Sequence, residues 1–258
     1  MSQEVGVEVN EHIATVELRR PPHNFFDAKL IGEIAAVFEA LDLSAGCRVI
    51  VLAAQGKSFC AGANFGGNDT PAPAGSRDSS IAQLYREAVR LFRTHKPIIA
   101  AVHGPAIGGG LGLALAADFR VTCAEAAFSA NFTKLGFHPG FGLTVTLPEL
   151  VGRNAAALLL LTSRRIKGEE ACRIGLADIL ATQGEVVAAA ISLAREIASC
   201  APLGVIATRA TLRQGLADRI AAATERELTE QSRLRGTQDF QEGIRASIER
   251  REPKFGGQ

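Results

Sequence analysis

Apolar and polar positions alternate from the start of the chain. Val5 to Asn10 and Ile13 to Leu18 follow a period of two, the pattern of two half-buried strands joined as a hairpin. At Asp27 the rhythm changes. Leu30, Ile31, Ile34, Val37, Phe38 and Leu41 recur at helical spacing, so Asp27 reads as the N-cap of an amphipathic helix. Continuous apolar runs then predict buried strands over 48–53 and 97–102. Between them, Ile81, Leu84, Tyr85, Ala88, Leu91 and Phe92 form a second helical stripe. A helix to about Ala117 and a strand over Phe119–Cys123 follow. Strand–strand–helix units recur over roughly the first 180 residues, and from Glu185 the pattern is almost wholly helical, with a new segment opening at Pro202. The expected layout is an α/β core over residues 1–200 and a helical C-terminal region over 201–258, the latter of the kind that mediates oligomerisation.

Composition narrows the classes. The chain has 258 residues, 47% of them hydrophobic, with a net charge of +1, so a sizeable core is affordable and nothing points to nucleic acid. Five scattered cysteines without a C-x-x-C argue against a zinc site or a disulfide framework and fit reduced thiols in a cytoplasmic protein. The N-terminus lacks the basic flank and apolar core of a signal peptide, and no run of about 18 apolar residues is free of charge, so no membrane span is expected. Residues 66–80 are small, polar and proline-rich and read as a loop, either a lid over a site or plain solvated chain.

Two turns carry candidate chemistry. Ser58 to Asn64 follows the strand over 48–53, and Gly104 to Gly110 follows the strand over 97–102. Each is built of small residues that let a ligand approach backbone N–H groups. The second also opens a helix, whose first amides lack intrahelical partners and carry positive potential. Two converging backbone donors are what enolate-forming and acyl-transfer reactions require. A dinucleotide site does not fit, because no G-x-G-x-x-G is followed by an acidic residue at a second strand end, and Gly56-Lys57-Ser58 lacks the upstream glycine of a Walker loop.

The order and spacing of these turns resemble the enoyl-CoA hydratase/isomerase (crotonase) superfamily. The matching residues are Arg20-Pro21 with Asn24, Gly56 to Asn64, Lys96 to Gly104, Gly108 to Gly110, Ala117-Asp118, Leu135-Gly136, Pro139-Gly140, Gly175 to Asp178, Glu242-Gly243 and Arg250 to Phe255. The resemblance implies a crotonase-like (ClpP/crotonase) α/β spiral of ββα repeats with a helical C-terminal extension, assembled as a homotrimer or a dimer of trimers. It implies an acyl-CoA thioester substrate, with coenzyme A as part of that substrate and no separate cofactor, metal, nucleic acid or membrane. The amides of Ala63 and Gly109 would form the oxyanion hole. Asn24, Phe25, Phe26, Ala61, Gly62, Asn64 and Gly108 would border the substrate and its CoA, and Lys254 would either reach the CoA phosphates or stay solvated.

The chain departs from the family's hydratase pattern at the two glutamates that position and split water. The position three residues after Gly109 is Gly112, and the second falls on Phe132. A positioned acid or base contributes about 10²–10⁴-fold, so efficient hydration is not expected. Phe132 and Phe141 would make the acyl pocket apolar and bulky. His138, in the Phe137 to Gly142 segment, is the candidate replacement acid/base, with a turn hydrogen bond as its other reading. His23 and His103 read as surface and structural groups, Asp118 as a buried structural carboxylate satisfied by backbone donors, Glu149 as a capping or surface residue, and Cys60 as small apolar packing. Ser129 and Asn131 fit strand-end roles or substrate hydrogen bonds. An enolate route by isomerisation, decarboxylation or C–C hydrolysis is favoured. Weak hydration and a catalytically silent acyl-CoA-binding protein are the alternatives.

Overall fold

In the computed structural model, residues 4–64 and 76–258 are described. The expected hairpin forms as β1 (Val5–Asn10) and β2 (Ile13–Leu18), paired antiparallel from Val5 opposite Leu18 to Asn10 opposite Ile13. Helix α1 (Ala28–Leu43) starts at Asp27, whose carboxylate accepts from the Leu30 N–H at 2.8 Å, and it buries Leu30, Ile31, Ile34, Phe38 and Leu41. Strands β3 (Val49–Ala54) and β4 (Ile98–Val102) follow the apolar runs and flank α2 (Ser76–Phe92). Residues 76–80, expected in the loop, belong to α2. The polar stretch before Arg86-Glu87 takes the helix because its stripe from Ile81 to Phe92 packs inward, and tertiary packing outweighs weak local propensity. The rest of the expected loop lies outside the described residues.

A short strand β5 (Ala106–Ile107) separates β4 from α3 (Gly109–Leu115), which ends two residues earlier than expected. Then come β6 (Phe119–Cys123), β7 (Ala127–Ser129), α4 (Leu143–Thr162), β8 (Ile166–Lys167), α5 (Gly168–Arg173) and β9 (Ile179–Ala181). The chain closes with α6 (Val186–Ala198), α7 (Pro202–Leu212), α8 (Leu216–Arg235) and α9 (Gln238–Glu249). Pro202 occupies the first turn of α7, where a missing N–H costs nothing. By length and composition α4 is apolar enough to cross a bilayer, but it carries Glu149 and Arg153 and breaks at Gly152 (φ 77°, ψ 160°).

Two sheets result. The larger runs β1-β2-β3-β4-β6-β9 and is parallel beyond the first hairpin; the smaller runs β5-β7-β8. Strands β3 and β4 are buried along nearly their whole length, which explains their continuous apolar runs. Helix α8 packs against α2 and α4, so the C-terminal region reaches back over the core.

One buried ion cluster ties α7 to the sheet. Asp118 accepts from the Ile98 N–H at 2.8 Å, from Arg209 Nε at 2.8 Å and from Arg213 Nη1 at 2.9 Å. The expected structural carboxylate is therefore held by two guanidiniums as well as a backbone donor, a partnership the sequence could not reveal across roughly 90 residues.

Candidate active site

The two donor turns are laced together by their own backbones. Cys60 N–H donates to the Pro105 carbonyl at 3.1 Å, and Ile107 N–H donates to the Cys60 carbonyl at 3.0 Å. On the other side, Phe26 N–H donates to the Gly62 carbonyl at 3.0 Å, and Gly108 N–H donates to Ser129 at 2.8 Å. Gly62 sits at φ +83°, and a Cβ there would lie 2.8 Å from the Ile107 carbonyl oxygen and 3.7 Å from the Gly109 nitrogen. The turn therefore demands glycine and sets the two segments edge to edge. Gly110 repeats the demand, because a Cβ would fall 2.0 Å from the Cys60 carbonyl oxygen.

Among the described residues, neither the Ala63 N–H nor the Gly109 N–H has a hydrogen-bond acceptor. Gly109 is the first residue of α3, where no intrahelical acceptor exists. Both residues line a cavity of about 320 Å³.

The cavity also takes in Phe25, Phe26, Ala61, Gly62, Asn64, Gly108, Phe132 and Phe141, which the sequence placed at the substrate. Asn131 lines it too, while Ser129 Oγ donates to the Ser163 carbonyl. Two expectations do not meet the cavity. Asn24 is fully buried; its side-chain amide donates to the Gln55 and Ser58 carbonyls and its oxygen accepts from Arg20 N–H, so it braces the first turn from behind. His138 is not among the lining residues. Its Nδ1 donates to the Pro139 carbonyl at 2.8 Å, and its own carbonyl accepts from Gln231 Nε2 at 2.8 Å. The turn that carries His138 sends its neighbours Phe137, Gly140 and Phe141 to the cavity instead.

The remaining candidates are structural. His23 Nδ1 meets Ser58 Oγ at 3.1 Å, and His103 Nε2 meets the Gly56 carbonyl at 3.0 Å. Cys60 is buried, and desolvation pushes its thiol up to about 12, so it stays protonated and inert. Glu149 pairs with Arg219 at the surface. Lys254 N–H caps Glu242, away from the cavity.

Several wall residues carry no sequence signal of a site. Tyr85 comes from α2, Gln231 and Arg235 from α8, and Ser247 and Ile248 from α9. Their helical spacing marks them only as amphipathic helix. Behind the wall lies Glu227, 1% exposed, whose carboxylate accepts from Gly142 N–H, Thr144 N–H and Thr144 Oγ. It anchors the start of α4, and so fixes the turn that holds Phe141. Burial raises its pKa, opposed by those three donors and by the charge of His138. Among the described lining residues, Arg235 is the sole charged side chain, and neither a carboxylate nor an imidazole is present.

A family model described as enoyl-CoA hydratase/isomerase matches residues 8–258. The chain belongs to the enoyl-CoA hydratase/isomerase family. It is 32% identical to a probable enoyl-CoA hydratase of Bacillus subtilis (strain 168), over 98% of this chain and 99% of the relative. It is 33% identical to the (E)-benzylidenesuccinyl-CoA hydratase of Thauera aromatica, again over 98% and 99%. The crystal structure of an enoyl-CoA hydratase/isomerase from Pseudoalteromonas atlantica T6c superposes with a TM-score of 0.86, at 27% identity, over 98% of this chain and all of that one. The crotonase fold expected from the motifs is thus the fold of this enoyl-CoA hydratase/isomerase family member, and an acyl-CoA ligand is consistent with it.

Within that family frame, Gly112 is closed to any side chain. A Cβ there would meet Phe141 Cβ and Cδ1 at 2.7 Å. Phe141 in turn packs its ring 5.7 Å from that of Phe26, and Phe26 lies over Gly109. Phe132 stacks edge-on against Phe137 at 5.3 Å. Aromatic side chains thus pack against both Gly112 and Phe132.

Proposed function

We propose that this protein binds an acyl-CoA thioester and stabilises its enolate between the amides of Ala63 and Gly109, without the paired carboxylates that hydration needs. What carries the reading is the cavity wall: two acceptor-free amides at one end, and no carboxylate or imidazole among the described residues that line it. Preorganised donors aimed at developing charge are worth about 10²–10³ in rate each, and they require no proton transfer to act.

Decarboxylation of an α-carboxyacyl (malonyl-type) thioester asks least of such a site. The C–CO2 bond breaks, its electron pair moves onto the thioester oxygen, and a solvent proton returns to the α-carbon. The two amides receive the charge as it develops on the thioester oxygen. The relatives named above are called hydratases; Gly112 and Phe132 support a different chemistry here. An assembly of three copies or two threes, in the cytoplasm, with no cofactor beyond the CoA of the substrate, completes the proposal.

The test is product analysis. The purified protein is incubated with crotonyl-, 3-enoyl-, malonyl- and β-diketone-type thioesters in ¹⁸O-water and the products are read by mass spectrometry. A decarboxylated or isomerised product without label supports the reading. Labelled 3-hydroxyacyl-CoA at an enzymatic rate overturns it, and binding without any product assigns the protein to silent acyl-CoA binding.

A further inference from the structure

Tyr85, Gln231 and Arg235 form a polar corner in an otherwise apolar cavity. The rest of that wall is Leu84, Phe132, Leu135 and Phe137, with Ile81 and Ile248 nearby. Arg235 is held rather than loose. Its guanidinium carbon lies 5.8 Å from the centroid of the Phe137 ring, and its Nη2 lies 3.4 Å from Gln231 Oε1, one turn back along α8. Phe137 is itself fixed between Phe132 at 5.3 Å and Phe240 at 5.4 Å.

Gln231 is 2% exposed and is tied to the His138 carbonyl through Nε2. Tyr85 comes from α2, which packs against α8, and reaches the same corner. A Cβ on Gly140 would sit 1.9 Å from the Tyr85 hydroxyl and 2.6 Å from Gln231 Nε2, so the phenol oxygen and the amide share one spot above that glycine. The phenol hydroxyl carries one hydrogen that it can donate into the cavity that Tyr85 lines. Desolvation, reinforced by the nearby Glu227 charge, drives the Tyr85 pKa up, so the hydrogen is present at neutral pH.

We infer that this corner is a carboxylate subsite, and that the protein's substrates are thioesters of dicarboxylic acids, with the thioester oxygen at Ala63 and Gly109 and the second carboxylate at Arg235 and Tyr85. A guanidinium and a phenol hydrogen supply charge-assisted bonds to an anion, and the surrounding Phe and Leu side chains exclude the water that would weaken them. A purely hydrocarbon acyl chain would lay apolar surface against a cation and a hydroxyl, a mismatch that a site built for hydrogen bonding rejects. The inference rests on the acyl-CoA reading above and adds the acyl class to it. The CoA phosphates are the other anions that Arg235 could meet; the position of Arg235 beside Phe137 and Tyr85, rather than beside Phe25 and Asn64, favours the acyl end.

Binding separates these cases without requiring turnover. Calorimetric titration of the full-length protein compares succinyl- and glutaryl-CoA with 4-methylpentanoyl-CoA, in which an isopropyl group replaces the succinyl carboxylate at the same shape. The expected result is that one dicarboxylic thioester binds about tenfold or more tighter than the apolar mimic. Arg235→Met should abolish that preference while leaving the mimic within about twofold, and Tyr85→Phe should reduce it independently. Arg235→Lys, which keeps the charge, should retain part of it. Equal affinity of the wild-type protein for both classes overturns the inference, as does an Arg235→Met loss shared equally by both, which would assign the guanidinium to the CoA phosphates. Failure of every thioester to bind defeats the acyl-CoA reading itself; mimic binding without a carboxylate preference defeats only the subsite.

Discussion

Phe141 fills the space that any side chain at Gly112 would need, with contacts of 2.7 Å from a Cβ built there to Phe141 Cβ and Cδ1. The glycine and the phenylalanine are one steric unit, so a side chain cannot be placed at position 112 by one substitution without overpacking against that ring. Gly112→Glu alone should destabilise the fold by overpacking, by about 1–3 kcal/mol or more because a charge is buried with it, and should confer no hydration. The combination with Phe141→Ala should recover much of the lost thermal stability. Thermal melts of the single and double variants measure this; an unperturbed single variant would show that the ring yields freely.

His138 should be dispensable for chemistry. Its Nδ1 is committed to the Pro139 carbonyl and its ring does not line the cavity. His138→Ala should leave kcat and KM on the substrate identified by product analysis within about twofold, against the 10²–10⁴-fold or so expected for loss of a positioned acid or base. Steady-state kinetics decides, and a loss in the larger range would restore the histidine to the mechanism.

Asp118 should matter to stability and not to turnover. It neutralises Arg209 and Arg213, whose side chains are 8% and 14% exposed. Asp118→Ala leaves both cations buried without their carboxylate, at a cost of about 3–5 kcal/mol. Chemical denaturation should show that loss, while any variant that stays folded should bind acyl-CoA as before.

Glu227 sets a pH dependence of known sign. Its pKa is raised in the folded protein, chiefly by burial, so the folded state holds the proton more tightly than the unfolded chain. Its contribution to stability is therefore greatest below the unfolded carboxylate pKa and is lost as pH rises through the raised folded value. The stability difference between wild type and Glu227→Gln should move against the wild type across that interval and level off above it. Melting temperatures of both proteins over a pH series test this; a difference moving in the wild type's favour would contradict the assignment.

Much of this fold was legible in the chain. The hairpin, the Asp27 cap, the stripe of α1 and the buried strands β3 and β4 declared themselves through period and capping chemistry, because each is set by residues close in sequence. The small-residue turns marked where backbone amides would be exposed. The far wall of the cavity was not legible. Gln231 and Arg235 sit in a helix that reads as ordinary amphipathic surface, and only the packing of α8 over α2 brings them to Tyr85. Asn24 and His138 misled for a related reason: a polar side chain beside a site motif looks the same in sequence whether it faces substrate or satisfies nearby backbone.

The most direct test of the account removes one backbone donor and nothing else at the reacting end. Ala63→Pro deletes the N–H at position 63 while the Phe26 N–H bond to the Gly62 carbonyl can persist. Turnover of the thioester identified by product analysis, and deuterium incorporation at its α-carbon in D2O, should both fall about 10²–10³-fold with acyl-CoA affinity little changed. Full turnover by an Ala63→Pro variant that still binds acyl-CoA would mean that the enolate is not held there.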